Sequence, residues 1–386
     1  MSEAPQDKAR QDKQQAAAIV WPPSWPRVLD ARFGAPRPGG YRATPEDFQV
    51  EEQLGFEPEG QGEHLWLWLE KRDLTTAMVA RRLARACEVT QRDVGYAGMK
   101  DRHAVTRQWF SVHLPGRDAP DDLEARLADL PLTLLEATRH PRKLKRGVHA
   151  ANRFRLRVTG EALEDPHLAE RWAWLCHHGA ANYFGPQRFG ADGRNIHRAA
   201  GVLARGWRKR DDREGMLLSA ARSYLFNELL AARIADGSWA TPLPGEAVIL
   251  DGSSSQFVAE TVDDSLIERA ERLDLHPSGV LWGQGDSVAQ DDARAREQAL
   301  AEAHPALCDG LVRAGVKTAR RPLRLRLAAP RLAPGEGEAW FSFTLPRGAF
   351  ATAVLRELIA HPTLSFHTPR PGPEQGAADA STAAVQ

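Results

Sequence analysis

Ala97-Gly98-Met99-Lys100-Asp101-Arg102-His103-Ala104-Val105-Thr106-Arg107-Gln108 sets one carboxylate, Asp101, among Lys100, Arg102, His103 and Arg107, just after a small, flexible Ala-Gly step. Nearby positive charge favours the charged form of an acid. A charged Asp in a basic cleft suits two roles: nucleophile towards an electrophilic carbon, or partner in a structural ion pair. In an extended segment the side chains of Lys100 and Arg102 point to the face opposite Asp101. A cation to pair with this acid is therefore better sought in another part of the chain.

Working outward, the run leads into Arg107 to Leu114, where Trp109, Phe110 and Val112 predict a strand. Upstream, His64-Leu65-Trp66-Leu67-Trp68-Leu69-Glu70 reads as a strand packed on both faces. Thr75 to Cys87 reads as an amphipathic helix with Thr75 or Thr76 as its cap. Downstream, Arg153, Arg155 and Arg157 alternate with Phe154, Leu156 and Val158. That predicts a strand whose arginine face turns to solvent or to nucleic acid. Helical spacing follows over 165–178, 215–235 and 291–304, strand pattern returns over 323–327 and 340–345, and a helix is expected over 349–360. Strands early, helices in the middle and strands late predict an α+β sheet domain interrupted by an insertion. The pattern alone leaves open whether the late strands rejoin the early sheet. The first 40 residues, rich in Pro, Gly and Gln, are expected to form a flexible leader, and those from His367 onward a disordered tail.

With 42% hydrophobic and 26% charged residues, the 386-residue chain has the balance of an ordinary globular core and room for two domains. No apolar run approaches the roughly 20 residues of a membrane span. The N-terminus lacks the apolar centre of a signal peptide. Cys87, Cys176 and Cys308 lie far apart without a C-x-x-C pair, which argues against a zinc site and against a disulfide framework. A reducing, cytoplasmic setting without a metal is the expectation. Lys plus Arg equals Asp plus Glu at 51 each, so net charge does not suggest nucleic acid. Local charge does. Residues 139–157 carry eight Lys or Arg and no acid, and 313–326 carry six more without an acid. A phosphate backbone responds to local basic surface rather than to net charge. Arg142, Lys143, Lys145 and Arg146 are the candidate phosphate contacts; a solvated strand-and-turn face is the plain alternative.

The run AGMKDRHAVTRQ resembles the catalytic segment of the TruD family of tRNA pseudouridine synthases, which reads A-G-x-K-D-[KR]-x-A-V-T-x-Q. PEDFQVEE, from Pro45 to Glu52, and NYFGPQRFG, from Asn182 to Gly190, resemble the same family in the same order. The likeness runs from about Arg42 to near Arg356. It implies a pseudouridine-synthase domain over 41–177 and 326–366, with a mixed or antiparallel sheet, split by a family-specific α+β domain over 178–325. It also implies the reaction: a D-arm uridine, position 13 in standard tRNA numbering, is isomerised. The base leaves C1′, turns, and rejoins through C5. No external group is transferred, so no cofactor is expected, and the sequence has no P-loop or dinucleotide fingerprint. The implied partner is tRNA, with one uridine flipped out of its stack. Nothing calls for an obligate dimer, so a monomer is expected, with no membrane partner.

Carried onto this chain, the resemblance makes Asp101 the catalytic carboxylate; whether it adds to C1′ or C6, or acts as a base at C2′, stays open. Arg42 stands where many relatives carry Lys and is the implied cationic partner, with a planar fork in place of a point charge. Read without the family, Arg42 is an ordinary strand residue. Asn152-x-Phe154 matches an N-x-F pattern, implying that Phe154 stacks on the base for roughly 1–3 kcal/mol. Asn152 would hydrogen-bond Asp101 or the uracil edge. Alternation alone makes Phe154 a core residue. Gln187 and Arg188 are candidates for a base edge and a phosphate, in a tight turn where Gly185 and Gly190 permit unusual backbone angles; the same turn also suits a hinge. His103 and His177-His178 are read as structural or exposed. Two other functions compete: a non-catalytic RNA-binding or tRNA-folding chaperone, and a nucleosidase. The latter needs a second carboxylate, for which Glu46, Asp47, Glu51 and Glu52 are available.

Overall fold

Six strands form where bulky and alternating apolar residues concentrate: β1 (Phe48–Gln53), β2 (His64–Arg72), β3 (Val94–Tyr96), β4 (Val105–His113), β5 (Leu132–His140) and β6 (Ala151–Val158). They come from a computed structural model that describes residues 19–212 and 215–366. A hairpin from the far end of the chain, Ala328–Gly335 and Glu338–Pro346, joins them by pairing its second strand with β6. The resulting eight-stranded sheet runs Ala328–Gly335, Glu338–Pro346, β6, β1, β4, β2, β5, with β3 alongside β4. Every pairing is antiparallel except one. β1 and β4 run parallel at the centre, with Gln49 opposite Val105 and Glu51 opposite Arg107. The sheet is therefore mixed, and the fold is α+β.

Side-chain alternation decides what covers it. Leu65, Leu67, Leu69, Phe110 and Val112 are buried together with Val79 and Leu83 of the helix Thr76–Ala86. Thr75 caps that helix by accepting from the Met78 amide. Trp66 and Trp109 point the other way, onto Leu54, Ala97 and Leu144, which explains why β2 is apolar on both faces. Phe154, Leu156, Phe341 and Phe343 pack against the helices Leu168–His178 and Ala351–Leu358. On β6 the arginines do alternate outward, but Arg157 is held by Asp47 at 3.2 Å and also paired with Glu338, while Arg155 lies over the Trp340 ring.

Between Ala180–Ala181 and Arg324–Leu325, which pair with each other, the chain leaves the sheet and returns to it. The intervening residues build a separate core from the helices Arg194–Arg205, Met216–Ala235 and Pro305–Arg313, with a small sheet of Glu246–Leu250, Gln256–Ala259 and Leu275–His276. The expected strand over 323–327 shrinks to the two residues of that junction pair. One expectation needs correcting. Within the predicted flexible leader, residues 19–40 are packed: Trp25 and Leu29 are buried, and Trp25 Nε1 donates to Glu228 at 2.7 Å. Buried Glu357 accepts from the Val28 and Leu29 amides at 3.2 and 3.1 Å. Pro and Gln dominated the composition there, yet two tryptophans and a leucine supply enough apolar surface to dock. Residues 1–18, and the predicted tail from 367, lie outside the described residues.

Candidate active site

The parallel pair at the sheet centre builds the site. Strands that run parallel are entered from the same end, so the segment before β1 and the segment before β4 meet there. The first carries Arg42 and the second Asp101. Their guanidinium and carboxylate lie 3.2 Å apart, and Arg42 Nε donates to the His103 carbonyl at 3.1 Å. Arg42 adopts a left-handed φ of 64°, a conformation that costs a non-glycine residue energy and tends to persist where function needs it. Phe48 lies under its guanidinium at 4.3 Å. Between Arg42 and β1, the Thr44 amide donates to Asp47 at 2.8 Å across the Pro45–Asp47 turn.

Neighbouring Lys100 goes the opposite way, into the protein. Its ammonium sits 2.8 Å from Glu52 and donates to Asn152 Oδ1 at 2.6 Å. Burial pushes the Glu52 carboxyl up, against the opposing pull of Lys100. Asn152 thus holds Lys100 rather than Asp101, and its amide nitrogen lies 3.5 Å from His149 Nε2. Burial, with the charges of Lys100 and Arg347, drives His149 down to about 4, so the imidazole is neutral near pH 7. Neither His149 nor exposed Met99, both lining the cleft, stood out in the sequence; a lone His and a lone Met carry no pattern.

Arg42, Asp101, Asn152, Phe154, Gln187 and Arg188 all line one cleft of about 750 Å³ between the sheet and the start of the intervening unit. Phe154 forms part of its floor, packed against Phe48 and Phe343 at ring distances of 6.3 and 5.7 Å. It is at once a core residue and a cleft residue. On the far wall, Gln187 donates to Thr352 at 3.3 Å and Arg188 to Ser219 at 3.1 Å. Gly190 has the left-handed φ of 72° expected for that turn. Gly185 does not: its φ is −74°, and a Cβ there would lie 2.5 Å from Gln187 Oε1, so what it supplies is space.

Asp101 is the only carboxylate lining this cleft among the described residues. The four acids of the PEDFQVEE segment are engaged elsewhere: Glu46 with Arg72, Asp47 with Arg157, Glu51 with Arg107 and Glu52 with Lys100. His103 is exposed and 3.6 Å from Asp73. Of the basic loop, Lys143 donates to the Arg92 carbonyl and Arg146 to the Tyr96 hydroxyl, while Arg142 and Lys145 extend into solvent. Arg347 ties the loop to the cleft rim by donating to the Gly147 carbonyl. The described residues contain no cluster of metal-ligating side chains and no helix long and apolar enough to cross a membrane.

The family model for tRNA pseudouridine synthase D (TruD) matches residues 35–210 and 211–358. The chain belongs to the TruD family. A tRNA pseudouridine synthase D from Chromohalobacter salexigens is 58% identical over 346 residues, covering 89% of this chain and 99% of that protein. Another, from Pseudomonas entomophila, is 48% identical over 322 residues, 82% of this chain and 90% of its own length. In three dimensions the chain is similar to the crystal structure of a TruD from Methanosarcina mazei, with a TM-score of 0.63 at 20% identity over 91% of this chain and 98% of that one. That likeness shows that the two chains share a fold.

Proposed function

We infer that this TruD-family chain is an isomerase, a tRNA pseudouridine synthase, and propose that Asp101 is its reacting carboxylate and a D-arm uridine at position 13 its target. The observation that carries this reading is Asp101, the one acid lining the cleft among the described residues, paired with Arg42 and sharing the cleft with Phe154. A uridine flipped into the cleft would set its base against Phe154 and its ribose against Asp101. After the glycosidic bond breaks, the neutral polar groups of Asn152, His149 and Gln187 would retain the uracil while it turns. Arg42 holds the carboxylate in place. Arg142 and Lys145, with Arg347 between them and the cleft, would lie along the tRNA phosphates. The segment 178–325 is read as the family-specific domain, supplying Gln187 and Arg188 to the cleft wall. Hydrolysis by paired carboxylates finds no support, since no second acid lines the cleft among the described residues.

Carbodiimide-probed primer extension on unmodified tRNA transcripts tests the proposal. Wild-type protein, without added metal or cofactor, is expected to create one stop in the D arm, and Asp101→Asn none. A stop that persists in Asp101→Asn overturns the assignment of the carboxylate. Tight, salt-sensitive tRNA binding with no stop from either protein favours the non-catalytic RNA-binding reading.

A further inference from the structure

Under the Asp101 loop lies a cation for which the chemistry above has no use. Lys71, near the end of β2, is fully buried. Its ammonium donates to the Asp101 carbonyl at 2.8 Å and to the Leu74 carbonyl at 2.6 Å. No carboxylate lies within ion-pair distance of it among the described residues. Its cross-strand neighbours, Thr106 on β4 and Leu132 on β5, are uncharged. Asp73, two residues on, lies 3.6 Å from both Arg102 and His103. Lys100, from the loop above, repels it. A buried ammonium without a counter-ion destabilises a fold, so packing alone does not account for a lysine here. Burial pushes its pKa down to about 8, the Asp101 carboxylate opposing that shift, Lys100 adding to it and Asp73 opposing it.

The same loop is gripped at other points by neutral groups: Thr76 accepts from the Lys100 amide at 2.9 Å, and Gln108 donates to the Gly98 carbonyl at 3.2 Å. Two charged groups hold its main chain: Arg42 donates to the His103 carbonyl from the exposed side at 3.1 Å, and Lys71 donates to the Asp101 carbonyl at 2.8 Å. We propose that Lys71 is a positioning residue for the isomerisation: its ammonium fixes the Asp101 main chain from the buried side while Arg42 fixes the carboxylate from the open side, and turnover needs Lys71 charged. This rests on the reading of Asp101 as the reacting group. Loss of the Lys71 proton turns charge-assisted bonds into weaker amine bonds and removes the attraction for Asp101. The linkage to stability runs in the other direction. With the folded-state pKa below the ordinary 10.5, the neutral form favours the fold, so Lys71 adds stability as pH rises from about 8 to 10.5.

Single-turnover pseudouridine formation on a tRNA transcript, followed across neutral to alkaline pH with thermal unfolding and tRNA affinity measured in parallel, tests this. In wild type the rate is expected to fall as pH rises through about 8, while the fold and tRNA binding persist. Lys71→Arg keeps its charge throughout that range and should retain turnover without the alkaline limb. Lys71→Met should be slower at every pH by roughly 100-fold, as expected for a displaced reacting group, with tRNA affinity intact. A wild-type rate in folded Lys71→Met, the same limb surviving in Lys71→Arg, or a wild-type limb that coincides with unfolding overturns the inference. If Lys71→Met does not fold, the Lys71→Arg profile and the wild-type comparison decide. Asp101→Asn in the same assay separates the two levels: turnover by that variant sinks the reading of Asp101, whatever Lys71 does.

Discussion

Two ion pairs grow from adjacent residues of one loop and end in opposite environments. Lys100 meets Glu52 with side chains 5% and 0% exposed, whereas Asp101 meets Arg42 with side chains 54% and 26% exposed. The distances are similar, 2.8 and 3.2 Å, but the surroundings give them different consequences. A buried pair couples strongly, and removing one partner strands the other charge without solvent. An exposed pair is screened by water and contributes little to the fold. Extended backbone sends alternate side chains to opposite sides, so one loop can anchor itself with one residue and offer the next to a substrate. The anchor makes the offered carboxylate precise in position without making it part of the core.

Breaking each pair should therefore move different observables. Asp101→Asn is expected to lower turnover by at least about 1000-fold while changing unfolding free energy by less than ~1 kcal/mol. Single-turnover kinetics and denaturant unfolding check both halves, and a large stability loss would erase the distinction between the pairs. Glu52→Gln leaves Lys100 buried without its counter-charge and should cost about 3–5 kcal/mol of stability. The double change Glu52→Gln with Lys100→Met should recover part of that loss in the same unfolding assay; strict additivity would mean that the two side chains do not act as a pair. Phe154→Ala sharpens the comparison from the cleft floor. It is expected to weaken productive substrate binding by about 1–3 kcal/mol through lost stacking, read as a rise in the half-saturating tRNA concentration. Its core contacts with Phe48 and Phe343 predict a loss of stability as well, which Asp101→Asn lacks. The smallest effect belongs to the basic loop. Arg142→Ala or Lys145→Ala should each lower the salt dependence of tRNA affinity by about one phosphate contact, leaving the single-turnover rate at saturation unchanged.

Much of this was legible in the chain, for reasons that differ by element. The strand 152–158 announced itself because arginine and apolar residues alternate with the period of a pleated backbone, and burial follows that alternation. The helices near 75–87, 215–235 and 291–304 were legible from apolar spacing, within a residue or two of their ends. Residues 19–40 were misread because composition averages over residues, whereas docking depends on a few. Trp25 and Leu29 find a site made by residues near 357 and 228, and no local pattern points that far. That Asn152 accepts from Lys100 rather than meeting Asp101 was hidden for a similar reason: Lys100 is reached across the sheet rather than along the chain. Lys71 was invisible, since a lysine at a strand end ordinarily reaches solvent.

The sequence by itself determined the α+β class, the family, and that one acid in a basic run was the residue to follow. Those conclusions rest on local order: residue types, spacing and the wording of three short motifs. Only the tertiary structure decided that Arg42 meets Asp101, because that contact depends on β1 and β4 running parallel at the centre of the sheet. It alone removed Glu46, Asp47, Glu51 and Glu52 from the cleft, each drawn to a cation brought near by folding. And it alone set a buried ammonium under Asp101. Which charges neutralise one another is settled by distances in space, and sequence separation carries almost no information about those distances.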